Sequence, residues 1–272
     1  MDRETTSEFI KTNGILPESM FGQNFLCDEE VVSKIIDAAG IRPGDKVLEI
    51  GPGIGALTRP LSKLDISLVC VEIDKRLASV LREDPEINAQ ITDCDFLKLK
   101  DYHAERFDVV ISNLPYYVMT DIMKKLFAEC TNARSMVFMV EEDALDRITA
   151  STRTKQYGPL SVLCSIYGKP SVVTKVPGSS FVPAPKTTSA VIRLESCGNA
   201  VGREMVLFAD RCFANRRKKM KSALKCYDSV IVEEAYKAQG FDDNIRAEEV
   251  EPEAFLRLYN DIINSKSPRG TL

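Results

Sequence analysis

Val47-Leu48-Glu49-Ile50-Gly51-Pro52-Gly53-Ile54-Gly55-Ala56-Leu57-Thr58 reads as an apolar strand entering a glycine-rich turn that opens a helix. The same alternation continues outward from it. Lys46 to Ile50 is predicted as a strand, Ala56 to Leu64 as a helix, Ser67 to Glu72 as a strand and Lys75 to Glu83 as a helix. Ile87 to Thr92 and Phe107 to Ser112 follow as strands, Met119 to Cys130 as a helix and Ser135 to Val140 as a strand. Continuous apolar strands separated by helices predict a parallel sheet covered on both faces, so the fold class is α/β, doubly wound and Rossmann-like. Upstream, Asp28 is a candidate N-cap, Val31, Val32, Ile35, Ile36 and Ala39 form an apolar stripe, and Gly40 is the stop. Downstream, Val172 to Val176 and Thr188 to Leu194 are predicted strands flanking the proline-rich loop Phe181-Val182-Pro183-Ala184-Pro185. Past Ser196-Cys197-Gly198-Asn199 only helical patterns remain, at Val201 to Phe213, Val230 to Gln239 and Glu253 to Ile263. The chain therefore divides into an α/β domain, 1–197, and a small helical domain, 198–272.

Composition narrows the chemistry. The 272 residues are 44% hydrophobic and 28% charged with a formal charge of −4, a globular profile with room for one large core and a smaller unit. The single histidine, His103, sits in a polar stretch, so a Ser/His/Asp or Cys/His nucleophile or a multi-histidine metal site would have to be built on that one imidazole. Eight scattered cysteines contain no Cys-x-x-Cys pair, and Cys70 lies in an apolar run as a small hydrophobe would. Reduced cysteines, an N-terminal stretch of mixed charge and the absence of a long apolar segment lead to the expectation of a cytoplasmic, soluble, monomeric protein with no metal and no membrane contact.

Glycine is needed where backbone must approach a ligand closely or adopt positive φ. With Ala56 the turn satisfies G-x-G-x-x-[GA], and Glu72 follows about twenty residues on, where an acid holds ribose hydroxyls in dinucleotide-binding domains. It suits equally the G-x-G-x-G turn of methyltransferases that bind S-adenosylmethionine. A tight turn with no ligand is the third reading.

The ends of the next strands separate these readings. They carry Val71-Glu72-Ile73-Asp74, Asp93-Cys94-Asp95-Phe96 and Ser112-Asn113-Leu114-Pro115-Tyr116-Tyr117, and in an open parallel sheet such groups converge at the carboxyl edge. A dehydrogenase has no need for Asn-Leu-Pro-Tyr there. An exocyclic amine on a planar base does: it offers two N–H donors, which the Asn113 side-chain carbonyl and the Leu114 backbone carbonyl can accept, favouring a pyramidal nitrogen. Pro115 biases Leu114 toward extended geometry, and Tyr116 can stack on the base. A sulfonium methyl donor is already activated, so alignment rather than a strong base supplies the rate.

At these residues the sequence resembles the ribosomal RNA adenine N6-dimethyltransferases, the KsgA (RsmA) family that also includes the Erm methylases. Phe21-Gly22-Gln23-Asn24-Phe25-Leu26 is similar to the family's N-terminal motif, as are Tyr157 to Val162 and Phe181 to Val191 to two later signatures. The resemblance implies that Gln23, Asn24, Leu26, Gly51, Gly53, Glu72, Asp95 and Asn113 bind S-adenosylmethionine, with Glu72 on the ribose and Asp95 on the adenine amine. It also implies that Asn113, Leu114, Pro115 and Tyr116 carry the catalysis. Phe213-Ala214-Asn215-Arg216-Arg217-Lys218-Lys219-Met220 resembles the C-terminal RNA-binding signature of the KsgA branch, which dimethylates two adjacent adenosines near the 3′ end of small-subunit ribosomal RNA. Two departures, Val140-Glu141-Glu142 for Gln-Lys-Glu and Glu18 in place of a basic arm, fall at the RNA-facing rim.

Charge distribution points the same way. Residues 151–225 hold fourteen Lys/Arg and three Asp/Glu, about +11, which leaves about −15 on the rest of the chain. Such asymmetry is the footprint of a phosphate-binding face. Arg216, Arg217, Lys218, Lys219 and Lys221, read as a basic helix, together with Arg147 and Lys155, are the candidate RNA contacts, and the small ribosomal subunit is the expected partner. An Erm-type methyltransferase of large-subunit RNA, a non-catalytic ribosome-assembly factor and a nicotinamide-dependent dehydrogenase are the competing readings.

Overall fold

A computed structural model describes residues 2–15, 23–100, 102, 104–114, 118–199 and 201–264. Its centre is a seven-stranded sheet in the order β4-β3-β2-β5-β6-β9-β7. β2 (Lys46–Ile50), β3 (Ser67–Glu72), β4 (Gln90–Asp93), β5 (Val109–Asn113) and β6 (Ser135–Glu141) are parallel. β9 (Ser189–Glu195) runs antiparallel between β6 and β7 (Pro170–Val176). The parallel arrangement expected for the five strands between Lys46 and Val140 is thus present, and β9 and β7 extend it with antiparallel pairs, where the chain returns from β7 through a loop rather than through a covering helix.

Both faces of the sheet are buried, and the two-residue period of a strand decides which side chain goes where. Val47, Cys70, Val109 and Ile111 point into one apolar cluster with Val31, Ile35 and Ala39 of α2 (Glu29–Ala39). Leu48, Ile50 and Val110 point into the other, against α5 (Met119–Glu129). α2 forms as its stripe predicts: the Asp28 carboxylate accepts from the Glu30 and Val31 N–H groups at 3.1 and 3.2 Å, and Gly40 ends the helix at φ +62°. α4 (Lys75–Glu83) is capped by Asp74 and buries Leu77, Ala78 and Leu81.

Several elements differ from expectation. The helix expected over Ala56 to Leu64 is a single turn, α3 (Thr58–Leu61), because Pro60 has no N–H to continue the ladder. β4 begins later than Ile87, since Asp84 accepts from the Ile87 N–H in a turn that contains Pro85. The sequence reading passed over α1 (Arg3–Thr12), α6 (Glu142–Ile148), α7 (Pro159–Tyr167) and a two-stranded antiparallel ribbon of β1 (Phe25–Leu26) with β8 (Phe181–Val182).

The C-terminal helices α8 (Gly202–Phe213), α9 (Ser229–Gln239) and α10 (Pro252–Asn264) form as their patterns predict. They share one apolar cluster with α5 and α7. Phe208 meets Phe255 edge-on at 5.3 Å, Tyr157 meets Phe213 at 5.8 Å, and the buried Tyr157 hydroxyl donates to the Val250 carbonyl at 2.7 Å. Among the described residues no helix is long and apolar enough to cross a membrane, and all eight cysteines are unpaired.

Candidate functional site

A narrow cleft opens at the carboxyl ends of β2, β3 and β5, where the strand order reverses on either side of β2. Its floor is the glycine-rich turn. Gly51 and Gly53 take φ of +68° and +59°, and the Gly51 N–H donates to the Val71 carbonyl at 2.9 Å. A Cβ on Gly53 would lie 3.3 Å from the Phe25 ring, so a side chain there would press on the cleft wall.

Glu72 ends β3 with both carboxylate oxygens aimed by backbone: Oε2 accepts from the Gly53 N–H and Oε1 from the Asp74 N–H, each at 2.9 Å. Burial raises its pKa above the usual carboxylate value. Asn113 ends β5, and its Nδ2 donates to the Asn24 carbonyl at 3.4 Å, which turns Oδ1 away from Asn24. The neighbouring Ser112 hydroxyl donates to the Ile50 carbonyl at 2.6 Å and ties the β5 tip to the β2 tip.

Gln23 Nε2 donates to Asp74 Oδ2 at 3.1 Å, and Asp74 is also paired with Arg76 at 2.7 Å. Hydrogen bonds from the Arg76 side chain hold Asp74 down at about 2. The β1–β8 ribbon carries Gln23 and Asn24 to this edge, with Phe25 opposite Val182 and Leu26 opposite Phe181.

Of the site residues expected from sequence, Gln23, Asn24, Leu26, Gly51, Gly53, Glu72, Asn113 and Leu114 line this one cleft. Asp95 is not among its lining residues. Its carboxylate accepts from the Leu97 N–H at 2.9 Å and lies 3.5 Å from Lys98 Nζ, one strand beyond Glu72. Pro115 and Tyr116 fall outside the described residues, as do Phe21, Gly22, Glu18 and His103.

Sequence reasoning missed Glu49, which also lines the cleft and is 1% exposed. The Thr58 hydroxyl donates to Glu49 Oε2 at 2.8 Å and the Cys70 thiol at 3.5 Å, while burial pushes the Glu49 carboxyl up to about 7. The available signal was an acid inside an otherwise apolar strand. Also missed were the apolar walls Phe25, Ile54, Ile73 and Leu77. Ile10 and Ile15 pack behind three of these, in a cluster with Phe25, Ile54 and Leu77.

The basic segment is not the expected helix. α8 stops at Phe213, Lys218 N–H bonds back to the Asn215 carbonyl at 2.8 Å, and the buried Met220 begins a 3₁₀ turn, Met220–Ala223. Consecutive cations gain nothing from helical stacking, and burial of Met220 sets the local path. Arg217, Lys218 and Lys219 are exposed, as are Arg147 and Lys155. Arg216 is occupied within the protein: its guanidinium bonds the Glu248 carboxylate at 2.9 Å and the Thr154 and Lys155 carbonyls at 3.2 and 2.6 Å. Lys221 pairs with Glu233 at 2.5 Å and Asp243 at 2.8 Å. At the other rim, Glu142 pairs with Lys175 at 2.6 Å, and Glu141 accepts from the Thr187 hydroxyl at 2.8 Å. Glu141, which stands where the family pattern has Lys, is therefore tied to the loop that precedes β9, and its neighbour Glu142 to β7.

The family model of the ribosomal RNA adenine dimethylases matches residues 17–264. The chain belongs to that family. A relative of this dimethylase, ribosomal RNA small subunit methyltransferase A of Alkaliphilus oremlandii (strain OhILAs), is 35% identical over 284 residues, covering 96% of this chain and 99% of its own. Among solved structures, the 23S rRNA methyltransferase ErmE is 26% identical with a TM-score of 0.61, covering 88% of this chain and 100% of that one. A dimethyladenosine transferase from Plasmodium falciparum shares the fold with a TM-score of 0.65 at 23% identity, covering 86% and 95%.

The dimethylase is a methyltransferase that takes S-adenosylmethionine as its donor. The cleft fits that molecule. Glu72 turns a backbone-oriented carboxylate toward it, the glycine turn leaves room for close approach, and Ile73 and Leu77 offer apolar surface for a planar base.

Proposed function

We propose that the protein N6,N6-dimethylates two adjacent adenosines near the 3′ end of small-subunit ribosomal RNA, acting as a monomer in the cytoplasm during ribosome assembly. The observation that carries this reading is the meeting of Glu72, Gly51 and Asn113 in one cleft at three strand ends. The full-length likeness to a small-subunit methyltransferase supports the choice of RNA.

In this reading Gln23, Asn24, Leu26, Gly51, Gly53 and Glu72 hold the donor in the cleft, Glu72 taking the ribose hydroxyls, and Asp95, beyond the cleft lining at the end of the neighbouring strand, takes the adenine amine at the outer end of the donor. Residues 1–197 form the methyl-transfer domain, and 198–272 supply RNA contacts. The donor brings a methyl group already activated on a positively charged sulfur. Asn113 Oδ1, turned from Asn24 by the Nδ2 bond, accepts one N–H of the target adenine, and the Leu114 carbonyl accepts the other. Pro115 and Tyr116 complete the holder, Tyr116 by stacking. Transfer needs alignment more than base strength: the methyl–sulfur bond would break as the C–N bond forms, the sulfur leaving as a neutral thioether, and the amine proton would then pass to solvent. The target adenosine leaves its stack to enter, at a cost of a few kcal/mol unless it already lies in a loop. Arg147, Lys155, Arg217, Lys218 and Lys219 contact phosphates, while Arg216 and Lys221 act through the segments they anchor.

The likeness to ErmE favours a second reading, methylation of large-subunit RNA. Incubating the protein and labelled donor with separated subunits from a strain lacking the modification, then mapping the methylated nucleotide, tests both. Label in the 3′ region of small-subunit RNA is the expected result, and label only in large-subunit RNA overturns it.

A further inference from the structure

The basic segment borders a second, open pocket, of about 380 Å³, between the Met220–Ala223 turn and the start of α9. That is within the range of roughly 300–1,000 Å³ typical of sites for compact ligands. Lys219, Lys221 and Lys225 line it together with Glu233 and Asp243. The two carboxylates share Lys221, so the charge of that lysine is spent inside the protein. Lys219 and Lys225 are exposed, and among the described residues neither side chain makes a hydrogen bond or ion pair, although the Lys219 charge helps to lower the Asp242 carboxyl.

The lining therefore joins three kinds of chemistry. Two exposed ammonium groups outside any ion pair suit a phosphate. Carboxylates that already share one cation keep lone pairs for hydroxyl or amine donors. Tyr227, Leu224 and Val232 give an apolar wall, and the Tyr227 ring is held by Phe208 at 6.0 Å and by the Arg211 guanidinium at 5.7 Å. Inorganic phosphate would have no use for the apolar wall, and a hydrocarbon would have none for the carboxylates. A single nucleotide uses all three.

We propose that this cavity receives one unstacked nucleotide of the RNA substrate, separate from the methyl-transfer cleft, with its phosphate on Lys219 and Lys225 and its base along the Tyr227 wall. The inference rests on the reading of the protein as an RNA methyltransferase. It adds a specific pocket where that reading supplies only a basic face. Bases out of the helix are held in this way, by an aromatic or apolar platform beside a basic track.

The test is titration of the full chain with fluorescein-labelled octauridylate, which carries no adenine for the catalytic cleft. Two variants separate a pocket from diffuse charge. Lys225→Glu weakens binding about tenfold and lowers the salt slope by about 0.7, the loss of one single-strand phosphate contact. Ser222→Trp, at an exposed rim position, fills the cavity and leaves the charge intact. It weakens binding about tenfold with the slope unchanged, as expected for loss of a base contact. A thermal upshift with S-adenosylmethionine equal to that of the unsubstituted protein shows that both variants are folded. Unchanged octauridylate affinity in the Ser222→Trp protein overturns the proposal, as does absence of binding by the unsubstituted protein. Methylation of ribosomal RNA is scored separately: its absence while octauridylate still binds in the cavity sinks the proposed function and leaves the pocket standing.

Discussion

Asn113 at the end of β5 and Asn24 just before β1 meet through a 3.4 Å hydrogen bond from the Asn113 side-chain nitrogen to the Asn24 carbonyl. The two residues are 89 positions apart, and the contact sets the rotation of the carboxamide at the mouth of the cleft. Asn113→Ala removes the acceptor for the target amine while leaving the glycine turn and Glu72 in place. Single-turnover methylation at saturating donor should fall by about 10²-fold or more. The stabilisation of the fold by S-adenosylmethionine should fall little. Equal loss of donor binding and turnover would mean that Asn113 serves the cofactor and not the amine.

Glu49 imposes a pH dependence on stability. Burial lifts its carboxyl from 4.5 to about 7 in the folded chain. Between those values the folded protein holds a proton that the unfolded chain has lost, so stability falls as pH rises through this window, by about 3 kcal/mol in total. Glu72, also raised by burial, acts in the same direction, whereas Asp74, held at about 2, acts below the window. Urea unfolding of the Glu49→Gln protein from pH 5 to 8 should give a flatter profile than the unsubstituted protein. Superimposable profiles would refute the assignment.

Arg216 and Arg217 are adjacent in sequence and opposite in consequence. Arg216→Ala cuts the bonds to Glu248, Thr154 and Lys155 and should cost about 1–2 kcal/mol in stability, seen as a lower melting temperature. Arg217→Glu should leave melting unchanged, weaken RNA binding and reduce its salt dependence, because its side chain is exposed. The reverse pattern would exchange the two roles.

Gly53→Ala tests the floor of the cleft. A residue with a Cβ at φ +59° costs about 1–2 kcal/mol, and the added methyl meets the Phe25 ring at 3.3 Å. Melting with and without S-adenosylmethionine should show both a less stable protein and a smaller shift on donor addition. A donor-induced shift of full size would mean that the turn does not approach the ligand.

The sheet core and the helices with clean caps were legible because their signals are local. The Val47 to Ile50 run, the Asp28 cap with its Gly40 stop, and the Lys75 to Glu83 stripe each state a period or a terminus within a few residues. The basic run after Phe213 was legible as charge but not as shape. Which of its cations remain free depends on Glu248, Glu233 and Asp243, acids contributed by elements later in the chain. The β1–β8 ribbon was hidden for the same reason: two residues carry no periodicity, and Phe25–Leu26 becomes a strand only when Phe181–Val182 lies beside it.

From its sequence alone this protein was bound to have an α/β sheet with a parallel centre, a glycine turn after one of its strands and an acid at the next strand end, since hydrophobic periodicity and backbone freedom are properties of neighbouring residues. Only the tertiary structure could decide that Gln23 and Asn24 join Glu72 and Asn113, that Asp95 stands outside the cleft lining, and that Arg216 is occupied while Lys219 and Lys225 are not. Those outcomes turn on distances between residues far apart in the chain, and a buried polar or charged group takes whichever partner the packed core brings within reach.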